Sequence, residues 1–173
     1  MSTALRDPRN EPSDKLGAVG KLPDGRSFVL FERRLPYSVE QVWAAITEPE
    51  QLAKWFPGLS VELSEGGSFE IWFGGDCEGP AHVSGIVTTY DPPRVFELGN
   101  MRYELEPDGA GCRLTFRDIL VFAGPRSSES ITNAVLGGWH NFLEALEAHL
   151  EGRTLPEDRP EFDYSMIEVP GRE

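Results

Sequence analysis

Positive charge, cysteine and histidine are all scarce in this chain. Lys and Arg number 16 against 29 Asp and Glu, a net charge of −13. A duplex binder needs clustered cations to displace phosphate counterions, so the balance argues against nucleic acid as a partner and, for the same reason, against anionic membrane surfaces. Only Cys77 and Cys112 are present, with no CxxC spacing. They are too few for a disulfide framework and read as two free buried thiols of a cytoplasmic protein. His82, His140 and His149 fall at no HxxxH or HExxH spacing, so no metal motif is written in the order of residues and no cofactor is expected. The longest apolar stretch, Ile119 to Ala123, is far short of the ~20 residues that span a bilayer, and the first residues hold no signal-peptide core. GxGxxG, GxxxxGK and GxSxG are all absent, which removes the glycine-rich phosphate cradles and the hydrolase elbow.

What is present is enough for one folded body. The chain has 173 residues, 39% of them hydrophobic and 10% aromatic, and a chain of that length buries roughly two thirds of its unfolded surface without staples. Residues 1–26 are rich in Pro, Gly, Asp and Arg without periodicity and read as a flexible arm, with Pro23-Asp24-Gly25 as a turn. Residues 153–173 carry three Pro and a net charge of −3 and read as an extended acidic tail. The body between them, 27–152, holds a net −11.

Within the body, 27–35 reads as a strand. Ser38-Val-Glu-Gln41 is a capping box that starts a helix through Val42, Trp43 and Ile46. Thr47-Glu-Pro-Glu50 has the same form and starts a second, short helix ending at Pro57-Gly58. Strand signals follow at 59–63, around Phe69, Ile71 and Phe73, at 82–90, 95–98, 101–106 and 112–122, separated by tight turns, which predicts an antiparallel meander. A last helix covers 128–151, with Ile131, Val135, Trp139, Phe142, Leu146 and Leu150 in one stripe; Gly137-Gly138 inside it suggests a bend or a close approach. A sheet of six to seven strands with one long helix must curl around that helix to bury both faces, and the gap left between them is a natural cavity.

These pieces, in this order, resemble the START-like helix-grip superfamily, which includes plant pathogenesis-related proteins and bacterial polyketide cyclases. The branch of homologues of the activator of the heat-shock protein 90 ATPase fits best. The resemblance rests on PYSVEQVWAAIT at 36–47, EPEQLAKWF at 48–56, GGSFEIWF at 66–73, GIVTTYDPPRVFEL at 85–98, GAGCRLTF at 109–116 and GWHNFLEALEAHLEG at 138–152. It implies an α+β helix-grip fold with a hydrophobic cavity between sheet and long helix. It implies little about activity, since that fold hosts carriers, cyclases and co-chaperones.

Each candidate residue has a plainer alternative. Trp55, Phe56, Phe69, Ile71, Phe73, Phe96, Phe116, Trp139 and Phe142 should face the interior, as a packed core or as the wall of a ligand site. Asp118 shares a strand face with Leu114, Phe116 and Leu120 by period two. An inward carboxyl there would be an acid, a base or a ligand anchor; the alternative is an ion pair with Arg102 or Arg117. His140, beside Trp139, could reach the cavity rim as a second acid–base group, or be an ordinary solvated histidine. A zinc site from His82, His140 and Cys77 would need a convergence the sequence does not display. Asp76 and Glu78, after Gly74-Gly75, form an acidic loop or a solvated hairpin tip, and Ser127, Ser128 and Ser130 read as the cap of the last helix.

The leading expectation is a module that binds a small hydrophobic or aromatic molecule between sheet and helix, without strong signs of catalysis. A cyclase- or hydrolase-type enzyme using Asp118, with His140, is the alternative. A co-chaperone or stress adaptor with a chaperone as protein partner is the third.

Overall fold

The computed structural model describes residues 17–72, 81, 83–120 and 128–153, without the side chains of 128–131, 133 and 134. In chain order the elements are β1 (Ala18–Lys21), β2 (Ser27–Leu35), α1 (Val39–Thr47), α2 (Pro49–Trp55), β3 (Leu59–Val61), β4 (Ser68–Ile71), β5 (Val83–Asp91), β6 (Val95–Leu98), β7 (Met101–Asp108), β8 (Gly111–Ile119) and α3 (Ser128–Glu151). The strands form one antiparallel sheet in the order β1-β2-β8-β7-β6-β5-β4-β3. The fold is the expected α+β helix-grip: a curved sheet, two short helices after the early strands, and a long C-terminal helix.

Period two sets the sheet's inner face. In β2 Val29, Phe31, Arg33 and Leu35 are buried while Glu32 and Arg34 are exposed. In β8 Cys112, Leu114 and Phe116 are buried on the same face. Cys112 is a free thiol; Cys77 lies outside the described residues. In α3 Val135, Trp139, Leu143 and Leu146 are buried, with Phe142 and Leu150 packed at the margin. Leu143 joins the stripe at helical spacing from Trp139 and Leu146, and Ile131 has no described side chain. Gly138 is buried, whereas a Cβ on Gly137 would meet nothing within 4 Å, so Gly137 marks no close approach.

The first capping box forms as its sequence demands. The Gln41 amide donates to Ser38 Oγ at 3.1 Å, and the Ser38 amide donates to Gln41 Oε1 at 3.0 Å. The second does not. Thr47 is buried as the last residue of α1, and its hydroxyl donates to the Trp43 carbonyl at 2.6 Å. Glu48 therefore stands at the N-cap of α2 without a side-chain cap bond, and Pro49 opens the helix.

One boundary also shifts. Ala18–Lys21, read from sequence as part of a flexible arm, pairs with β2 as an edge strand. The glycines that suggested flexibility instead permit contact: a Cβ on Gly20 would lie 2.4 Å from the Phe28 ring, and one on Gly17 2.6 Å from Phe31.

Candidate functional site

The interior between the sheet and α3 is built largely of rings. Phe116 on β8 lies 4.5 Å, centroid to centroid, from Trp139 on α3 and 4.7 Å from Tyr103 on β7. Trp139 in turn meets Phe142 at 5.4 Å and Phe56 at 5.9 Å, and Phe56 stacks on Phe142 at 4.3 Å. Phe96 extends the series from Tyr103 at 6.2 Å to the half-buried Trp43 at 6.1 Å. Edge-on and tilted pairs of this kind are favourable beyond the area they bury.

The sequence candidates separate here. Phe56, Phe116, Trp139 and Phe142 converge around one place, and Phe96 adjoins it through Tyr103. Trp55 touches Phe56, but its indole N–H donates to the Ala45 carbonyl at 2.8 Å, which ties α2 to α1. Phe69 and Ile71 are buried on β4. The Phe69 ring lies under the β5 backbone, 3.0 Å from where a Cβ on Gly85 would stand, and among the described residues it forms no ring pair with the Trp139 group. Phe73, Asp76, Cys77, Glu78, His82 and Ser127 lie outside the described residues. Among those described, no three His, Cys, Asp or Glu side chains are placed to hold a metal ion.

Asp118 faces the rings. It stands next to the end of β8, opposite Val29 of β2 and Met101 of β7. The Trp139 indole N–H donates to its Oδ2 at 2.9 Å. Neither proposed arginine pairs with it: Arg102 binds Glu97 at 3.1 Å and Glu104, and Arg117 projects from the other face of the strand by alternation. Burial pushes the Asp118 carboxyl up to about 7, opposed by the Trp139 hydrogen bond. Its Oδ1 has no protein partner among the described residues. Yet Asp118 keeps accessible surface where Phe116, Tyr103 and Trp139 are buried. A desolvated group that still has surface lies at the edge of the packed interior rather than within it.

Tyr103 is the residue that sequence reasoning missed. It sits opposite Phe116, diagonal to Asp118 on the same face. Burial and the Asp118 charge both raise its phenol. Its hydroxyl, too, has no hydrogen-bond partner among the described residues. The signal was the alternation of Met101, Tyr103 and Leu105, all buried.

His140 goes elsewhere. Its Nδ1 faces Arg33 Nη2 at 3.2 Å, and no hydrogen bond joins it to Asp118. Arg33 is 3% exposed on the inner face of β2, and its guanidinium binds Glu144 at 2.9 Å and also Glu147, both on α3. This charged cluster fastens β2 to the helix. His149, near the helix end, faces Gln51 Oε1 at 3.0 Å, and burial, with the nearby Lys54, lowers its pKa.

Comparison with known proteins agrees with this fold. The family profile described as "Activator of Hsp90 ATPase homolog 1-like protein" matches residues 36–151. Among solved structures, CalU16 from Micromonospora echinospora is 23% identical with a TM-score of 0.58, over 77% of this chain and 82% of that one. Protein NE0264 from Nitrosomonas europaea is 26% identical with a TM-score of 0.55, over 72% of this chain and 94% of that one. A conserved protein of unknown function from Enterococcus faecalis, EF2215, is 17% identical with a TM-score of 0.60, over 89% and 88% of the two chains. No curated protein matches. No helix among the described residues is long and apolar enough to cross a membrane.

Proposed function

The chain belongs to the Activator of Hsp90 ATPase homolog 1-like family, and on that premise we propose that it binds a small hydrophobic or aromatic molecule between the curved sheet and α3. The observation that carries this reading is Asp118. A carboxyl with one oxygen held by Trp139 and the other uncommitted, on the strand face of Phe116 and beside an indole that meets Phe56 and Phe142, is costly as mere core. Packing alone favours an apolar residue or a fully satisfied polar one. As the polar point of an otherwise apolar site it has a purpose, since such sites fix orientation with a few placed groups.

The test is native mass spectrometry of the protein purified gently after exposure to extract of its own host. A stoichiometric added mass that disappears in Trp139→Ala, with the variant still folded, supports the reading. An added mass that persists in a folded Trp139→Ala places the site elsewhere.

The Asp118 carboxyl also favours a second reading, an enzyme of cyclase or hydrolase type. A group titrating near neutrality exchanges protons efficiently with a substrate. An Asp118→Asn variant that binds but turns nothing over would support it; unchanged turnover would remove it. A chaperone partner, which the family's description suggests, has no residue on the described surface to single it out and stands behind both.

A further inference from the structure

We propose that Asp118 and Tyr103 act together as a two-donor anchor that selects an uncharged aromatic ligand carrying a hydrogen-bond-accepting oxygen, such as an aryl ketone, over the matching carboxylate. The inference rests on the binding role proposed above and specifies its ligand. Two observations support it. Trp139 holds Oδ2 of Asp118 from one side at 2.9 Å, which fixes the plane of the carboxyl and leaves Oδ1 for a guest. Tyr103 stands diagonal to Asp118 on the adjoining strand, its ring against Phe116 and its hydroxyl without a protein partner among the described residues. Diagonal side chains on one sheet face start about 7–8 Å apart, within reach of long side chains, so the two groups can address one ligand oxygen as their ends converge.

The surroundings decide the charge of the guest. On β7, Tyr103 is the titratable group facing Asp118, and Met101 lies opposite it. On β2 the facing residue is Val29; Arg33, further along that strand, is bound to Glu144 and Glu147. On α3 the facing group is Trp139, while His140 faces Arg33. Phe116 on β8 and Leu120 just beyond its end flank Asp118, and Arg117 projects from the other face. No described cation thus stands by to compensate a ligand carboxylate, and burying one uncompensated is costly. With its proton on Oδ1, Asp118 donates to a neutral acceptor. Without it, Asp118 repels the acceptor's lone pairs, and only the Tyr103 donor remains.

The experiment uses three ligands with one ring system, 2-acetylnaphthalene, 2-naphthoate and 2-ethylnaphthalene, titrated calorimetrically into the full chain at pH 5.5 and 8.5. The ketone is expected to bind at least about tenfold more tightly than the hydrocarbon at pH 5.5. That advantage is expected to shrink about fivefold or more at pH 8.5, where the carboxylate should bind weakest of the three. In Asp118→Asn the amide N–H replaces the carboxyl O–H while the amide oxygen still accepts from Trp139. The ketone's advantage should then persist at both pH values. Tyr103→Phe should reduce it about fivefold at both. Equal ketone and hydrocarbon affinities in the wild type overturn the anchor and leave the binding site standing. So does a ketone advantage that is the same at both pH values in the wild type, or carboxylate bound as tightly as ketone at pH 8.5. Should none of the three bind at either pH, the anchor and the aromatic site both fall.

Discussion

Two polar clusters lie beneath α3, and they are built on opposite terms. Around Arg33 opposite charges meet: a guanidinium from β2 is shared by two carboxylates one helical turn apart, with His140 Nδ1 at its edge. Around Asp118 there is one carboxyl, an indole N–H and a phenol, with no counter-charge among the described residues. The first arrangement joins sheet to helix and has little left to offer a ligand. The second is electrostatically incomplete, which is why burial drives the carboxyl towards neutrality and why a guest has something to bind. Polar residues in an interior are therefore not one class; what separates these two is whether the fold itself answers the charge.

The sharpest way to break the comparison is at Arg33. Arg33→Ala should destabilise the fold by about 3–5 kcal/mol, because it leaves two carboxylates uncompensated at a buried joint; urea unfolding measures this. A loss below about 1 kcal/mol would mean that the pairs are solvated and the contrast with Asp118 is false.

Asp118→Asn should act in the opposite sense. The folded-state carboxyl titrates near 7, above its unfolded value of about 3.9. Below pH 4 both states are protonated and the shift costs nothing. As pH rises, the unfolded chain gains from ionising and the folded one does not, so the penalty grows until pH passes 7 and then holds. The variant should thus nearly match the wild type near pH 4 and exceed it at pH 8 by on the order of 4 kcal/mol. Equal differences at both pH values would show that the carboxyl is solvated.

The smallest effect belongs to α3 just ahead of both clusters. A Cβ on exposed Gly137 meets nothing within 4 Å, so Gly137→Ala should stabilise the chain by up to about 1 kcal/mol, read as a higher urea midpoint. A loss of stability would show that the helix needs that glycine to reach both clusters.

Much of the architecture was legible because it follows from local rules. Alternation marked β3 and β4 and the Asp118 face of β8, and the Ser38–Gln41 box marked the start of α1. Local rules also misled where a tertiary contact took precedence. Thr47 looked like a cap, but its hydroxyl is engaged by α1's own last turn. Gly17 and Gly20 looked like slack, yet they are what lets β1 lie close against the Phe31 and Phe28 rings. The site was legible only in part. Period two put Asp118 on the face of Phe116 without alignment or structure. In the structure Arg33 stands between Phe31 and Leu35 on the inner face of β2, where a charge looks misplaced. Its partners are more than a hundred residues away in the chain, at Glu144 and Glu147, and no spacing in the sequence announces them. Tyr103 was hidden for another reason: in an aromatic-rich strand its hydroxyl has significance only once Asp118 is seen diagonal to it.

The contrast rests on Asp118 as a carboxyl against an aromatic wall with no counter-charge among the described residues. The most direct measurement is its own titration, followed by carbon-13 NMR of the side-chain carboxyl and assigned by comparison with Asp118→Asn. A midpoint near 7 is the predicted result. A midpoint near 4 would contradict the account, because it would mean that water or an unseen cation reaches Asp118 and that the two clusters under α3 do not differ in kind.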